Sequence, residues 1–180
     1  MTERTDYSIA QKVIHWIMAL LIMMDLFVAQ KFGGLMEDWD RLESRADHGS
    51  LGTIIGVLFI SRLLLRFRYG APPLPATMPQ WQIWSAKAAH LLLYLFIGFL
   101  ILSGLATAAN AASPVNLFGA FDITVGQTDE TTFDFIRQFH EFATNAVIAL
   151  IGIHIAAACY HHFFAKDETT IRMLRFWKST

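Results

Sequence analysis

The stretch FHEFATNAVIALIGIHIAAACYHH, residues 139–162, decides the fold. It is apolar over more than the roughly 20 residues that a helix needs to cross a bilayer, yet it carries four histidines. His140 and His154 lie fourteen residues apart. At 100° per residue they fall within about 40° of one face, and at 1.5 Å per residue they stand about 21 Å apart along the axis. His161, seven residues beyond His154, shares that face. Strongly polar side chains inside a membrane are costly and tend to mark function. One helix therefore presents two ligand-type side chains to the same side at two depths.

Outward from this stretch, three more apolar blocks have spanning length: residues 13–30, 48–65 and 88–109, with 139–164 as the fourth. The chain is 180 residues long, 54% hydrophobic and only 16% charged, against about 45–50% and about 25% in soluble domains. The reading is an all-α integral membrane four-helix bundle. It forms a single domain over residues 1–180, with helices at about 9–31, 46–67, 84–109 and 132–164. YGAPPLPATMP (residues 69–79) breaks the chain between helices two and three, because proline cannot continue a helix. Residues 110–128, with Pro114, Gly119 and Gly126, read as a loop. The first block has a central Asp25 and no small-residue cleavage site, so it reads as a retained helix and not as a signal peptide. Cys159 stands alone, which excludes an internal disulfide, a four-cysteine cluster and a zinc ribbon; it reads as a small buried apolar residue.

Lysine and arginine set the orientation. Arg4, Lys12, Arg62, Arg66, Arg68, Lys87, Lys166, Arg172, Arg175 and Lys178 fall on one side. Lys31, Arg41, Arg45 and Arg137 fall on the other. Both termini are therefore expected in the cytoplasm, in a multi-pass membrane protein. The outer side carries Glu37, Asp38, Asp40, Glu43, Asp47, Asp122, Asp129, Glu130, Asp134 and Glu141, an excess of six negative charges.

With this topology His15 on helix one shares the inner level with His154, and His48 on helix two shares the outer level with His140. Two histidines across a bundle can ligate one haem iron on both faces, and with both axial positions filled the chemistry is electron transfer. Zinc binding or interhelical hydrogen bonds are the alternative use of these histidines. His90 on helix three is a third inner-level histidine, able to replace His15 or to bond a haem propionate or a quinone. Arg62 and Arg66 either pair with propionates or snorkel to the interface. His161 and His162 are interfacial anchors or a hydrogen-bonding group for a quinone. Asp25 needs a partner or a proton. Trp16, Trp39, Trp81 and Trp177 read as an aromatic belt.

IHW (residues 14–16), SRLLLRFRYGAPP (61–73), HLLLY (90–94), FHE (139–141) and IGIHIAAACYHHFFAKD (151–167) together resemble the bacterial cytochrome b561 family. Within it they resemble the short stand-alone members of the CybB, superoxide oxidase type, over nearly the whole chain. The resemblance implies a membrane oxidoreductase with two b haems, one between His48 and His140 and the other between His15 and His154. It implies ubiquinone as electron acceptor at an inner site with His161, and with Ser8 and Arg66 as further candidates. The donor would be superoxide or, in an anchor subunit, a periplasmic redox protein; no nucleic-acid partner is implied. Two features depart from the pattern. The outer loops are acidic where an anionic substrate would favour a basic entrance, with Arg41, Arg45 and Arg137 as the local exception. Lys87 stands where the family can hold a second helix-three histidine.

Overall fold

The computed structural model describes residues 5–29, 38–126 and 128–176, apart from the side chains of residues 38, 39 and 41. Arg4, Lys31, Glu37, Trp177, Lys178 and the expected end of helix one at 30–31 lie outside the described residues, as do the side chains of Asp38, Trp39 and Arg41.

Among the described residues, four helices are long and apolar enough to cross a membrane. They are α1 (Ile9–Ala29), α2 (Asp38–Tyr69), α3 (Gln80–Ala109) and α4 (Glu130–Cys159). Helix α4 runs on as a π-helical turn, Tyr160–Ala165, and a short α5 (Glu168–Leu174) follows. The second helix is already formed at Asp38, the first described residue after the gap and well before the expected 46. Its first turns are charged, but Arg, Leu, Glu and Ala are good helix formers, so the helix starts before its apolar run does.

Local chemistry sets the ends. Ser8 and Gln11 form a reciprocal cap at the start of α1: Ser8 N donates to Gln11 Oε1 at 3.0 Å and Gln11 N to Ser8 Oγ at 3.3 Å, the serine–glutamine version of a capping box. Asp129 caps α4 by accepting from Thr132 N at 3.0 Å. Lys166 closes the π turn in the left-handed region, at φ 52°.

The loop expected at 110–128 is more ordered than a loop. Strands β1 (Asn116–Leu117) and β2 (Phe121–Asp122) pair antiparallel, joined by a turn with φ 54° at Phe118 and 68° at Gly119. Phe118 N donates to Ser50 Oγ at 2.8 Å. Leu117 packs so close to Gly49 that a Cβ there would meet it at 2.9 Å. The hairpin thus lies on α2 beside His48.

At the other end the N-terminus, the α2–α3 loop and the C-terminal segment are tied together. Gln11 Nε2 donates to Gly70 O at 3.0 Å, Trp16 Nε1 to Met173 O at 3.1 Å and Arg172 Nη1 to Pro73 O at 2.6 Å. Lys12, 2% exposed, donates to Asp6 Oδ2 at 2.9 Å and to the Arg175 carbonyl at 2.5 Å. The shared end expected for both termini is thereby present.

The main core is a layer at mid-bundle to which every spanning helix contributes, Met18 and Ile22, Ile55, Ile97 and Val147, and a smaller cluster of Ala111, Val115 and Leu117 lies at the hairpin. Leu20, Phe27, Leu64, Leu102 and many other large apolar side chains point outward, as lipid-facing residues do. Cys159 is also exposed, correcting its expected burial; a small apolar side chain is equally at home against lipid.

Candidate functional site: two histidine pairs

The α4 spacing delivers its two histidines to opposite sides of this apolar layer, since Val147 stands midway between His140 and His154. On the outer side the His48 and His140 rings have centres 6.0 Å apart and planes at 73°. On the inner side His15 and His154 have centres 6.3 Å apart and planes at 79°. His90 also reaches the inner level, 5.6 Å from His154. The structure thus assembles both expected pairs and keeps the His15–His90 ambiguity.

The donor set is tested by length. An imidazole nitrogen lies about 2 Å from a first-row metal. With roughly 1 Å more to each ring centre, two imidazoles on opposite sides of one iron are about 6 Å apart. Both pairs match. Hydrogen bonding supports the same use, because a ligating histidine usually donates its other ring N–H to a carboxylate or backbone carbonyl. His48 Nδ1 bonds Asp25 Oδ1 at 2.8 Å. His140 Nδ1 lies 3.2 Å from both Leu100 O and Ser103 Oγ. In both rings Nε2 is the nitrogen that would meet an iron. Gly104 makes room for this arrangement: a Cβ there would stand 2.8 Å from His140 Cε1. A haem therefore fits the residues present. Among the described residues, no group of three or more His, Cys, Asp or Glu side chains could hold a bare metal ion, which weighs against the zinc alternative.

Beside the inner histidines lies a cavity of about 120 Å³, lined by His15, Arg62, His90, Tyr94 and His154 among apolar side chains. Arg62 lies over the Tyr94 ring, 5.9 Å from its centre, so its guanidinium is held inside the bundle mouth. Arg66 is absent from this lining; it is near enough to His90 to act on it electrostatically. His90 itself hydrogen-bonds the backbone of Ala86.

The remaining candidates lie outside the cavity. His161 Nδ1 bonds Asp167 Oδ2 at 2.6 Å. His162 Nδ1 is buried with no hydrogen-bond partner among the described residues. Both sit in the π turn, a distortion frequent at functional sites. Ser8 is committed to the α1 cap. Lys87 is exposed against Trp84. On the outer face Arg137 is paired with Glu141 at 2.9 Å, so the basic patch expected there is partly neutralised.

Asp167 lies outside the spanning segments, and several groups act on it. Burial raises its pKa, but hydrogen bonds from Thr169 and His161 outweigh that and hold the carboxyl below its ordinary value. Sequence reasoning missed Ser103 and Gly104. The available signal was a polar residue followed by glycine inside a block of large apolar side chains.

Comparison with known proteins agrees over nearly the full chain. The profile of a family described as prokaryotic cytochrome b561 matches residues 6–176. "Cytochrome b561 homolog 1" of Escherichia coli K12 is 30% identical over 171 residues, covering 93% of this chain and 96% of that protein. "Probable superoxide oxidase CybB" of Yersinia pestis is 28% identical, covering 93% and 95%. "Cytochrome b561 homolog 2" of Escherichia coli K12 is also 28% identical, covering 93% and 90%.

Proposed function

The chain belongs to the prokaryotic cytochrome b561 family of b-type haem, electron-transferring membrane proteins, and from that premise we propose that it is a dihaem superoxide:ubiquinone oxidoreductase of the bacterial inner membrane. The observation that carries this reading is the presence of two histidine pairs at ligand spacing on opposite sides of one apolar layer. Haem, when bound, supplies a one-electron carrier at each level. Two superoxide anions each give up one electron and leave as O₂; ubiquinone takes up the two electrons and two protons to become ubiquinol.

The chain's own residues divide the work. His48 and His140 hold the outer haem and His15 and His154 the inner one, within a single transmembrane domain. Arg62 at the inner mouth is placed to pair with a propionate. Arg66 and His161 serve the quinone; His161, fixed through Nδ1 by Asp167, offers Nε2 for proton exchange with the quinone oxygen. Ser8 is left out because its hydroxyl is used in the helix cap. The charge bias places the tied end, with both termini, in the cytoplasm. The name of the Yersinia pestis relative supports superoxide as donor.

A second reading has its own observation. The outer side carries an excess of six negative charges, and Arg137 is held by Glu141. An acidic face repels an anion and attracts a basic protein, so the chain would instead be the membrane anchor that receives electrons from a periplasmic redox partner. A superoxide pulse on purified oxidised protein, followed at the haem α-band with and without ubiquinone, decides between them. Fast reduction that ubiquinone reverses supports the oxidase. A band that ignores superoxide removes that reading and favours the anchor.

A further inference from the structure

Asp25 is a carboxylic acid toward the outer end of the apolar spanning helix α1, 8% exposed, and the electron-transfer scheme above gives it no role. Its Oδ1 accepts from His48 Nδ1 at 2.8 Å. The bond joins α1 to α2 at the outer level, and no other ligand histidine is treated alike. His140 is backed by a neutral carbonyl and a hydroxyl. Among the described residues no carboxylate hydrogen-bonds to His15, His140 or His154. The inner cavity instead has the Arg62 guanidinium in its wall. The two levels therefore differ in the sign of the fixed charge behind them.

We propose that Asp25 is a positioning residue for the outer haem, locking the orientation and tautomer of His48 and making this haem the lower-potential of the two. The physical chain is short. A carboxylate accepting the Nδ1 proton makes the imidazole a more basic ligand. A more basic ligand favours the ferric over the ferrous state, and second-shell hydrogen bonds of this kind are among the levers that set haem potentials. The nearby positive charge of Arg62 acts in the opposite sense on the inner level, by favouring the state with one more electron. Electrons delivered at the outer face would then run downhill toward the quinone end. The inference rests on the dihaem reading and adds to it a direction built into the bundle.

The carboxylate has a cost that argues against a merely structural role. A buried acid on a spanning helix is expensive in a membrane, and an apolar residue would pack α1 against α2 more cheaply. The bond restricts one imidazole of the outer pair, whose ring plane lies at 73° to its partner's.

The test is a redox titration of purified, haem-loaded protein, followed optically and by the low-spin ferric EPR signals, for the wild type and three variants. Asp25→Asn keeps an acceptor oxygen but removes the charge; the lower-potential wave should move up toward the higher one, which stays in place. Asp25→Glu keeps the charge and should leave the order of the waves as in the wild type. Ser103→Ala removes a neutral contact from His140 and should shift the same outer wave less than Asp25→Asn does. A haem-to-protein ratio from the pyridine haemochrome shows that each variant is loaded. Two unmoved waves in a loaded Asp25→Asn protein would overturn the proposal, as would movement of the higher wave alone. A wild type that binds a single haem would instead refute the dihaem reading on which the proposal rests, so the two failures are distinguishable.

Discussion

Replacing Gly104 with alanine should loosen the outer haem while sparing the inner one. The new Cβ would stand 2.8 Å from His140 Cε1 and 3.2 Å from its Nδ1. Relief to an ordinary contact requires the ring to recede by about 0.6 Å, the scale of shift that overpacking forces. The ring is held on the same helix, because Leu100 O and Ser103 Oγ both lie 3.2 Å from Nδ1. Recession therefore stretches both contacts beyond hydrogen-bond length. Overpacking costs about 1–3 kcal/mol and a lost hydrogen bond about 0.5–1.5 kcal/mol. A working figure of about 2 kcal/mol corresponds to a roughly 30-fold weaker site. Alanine favours the helix itself by about 1 kcal/mol over glycine, so the thermal midpoint should change little and the loss should be confined to the site. Gly56→Ala, whose Cβ would meet Ile101 at an ordinary 3.5 Å, is the control. The assay is haem per protein after detergent purification, together with the two low-spin ferric signals. A Gly104→Ala protein that keeps both haems and both signals as in the wild type would refute the reasoning.

The inner level invites a paired comparison. His15→Ala should lose one of two haems, whereas His90→Ala should keep both, because the 6.3 Å spacing of His15 from His154 fits two opposed ligands and His90 is already bonded to the Ala86 backbone; haem counting reverses the assignment if His90→Ala is the variant that loses one. At the inner end, a depressed carboxyl pKa means that Asp167 adds stability above the ordinary carboxylate value of 3.8 and loses it as pH falls through the lower folded value. Asp167 caps α5 by accepting from Thr169 N at 2.9 Å, so amide exchange in residues 166–176 should quicken only in that acid window, and Asp167→Ala should quicken it at neutral pH by the equivalent of a lost cap, about 0.5–2 kcal/mol; unchanged exchange in the variant would show that the cap does not hold α5.

The four spanning helices were legible because membrane insertion leaves a coarse trace, long apolar runs broken by proline and charge. The paired histidines were legible because α-helical spacing fixes both face and depth, so His140 and His154 located their partners once the orientation was known. Three features were not. The helical state of residues 38–45 is hidden because charged helix formers extend α2 beyond its apolar run. The β1–β2 hairpin is too short for a periodic signal and owes its place to contacts with Ser50 and Gly49 far away in sequence. The partner of Asp25 is also a tertiary fact, since only the α1–α2 packing brings His48 to it.

The arrangement separates what moves across the bundle from what does not. Val147, fully buried, and the apolar side chains around it form a layer in which charge is poorly solvated. Protons and anions are thus stopped between the two histidine levels, while an electron needs only acceptors on either side. That layer also insulates the two ends from each other electrostatically less well than water would, because a low local dielectric lets a fixed charge act further. Asp25 at the outer level and Arg62 at the inner one consequently bias the same electron in the same direction, one by disfavouring it where it enters and the other by favouring it where it leaves. A bundle with the same histidine pairs but without these charges would lack this polarity, which resides in two charged residues placed on α1 and α2.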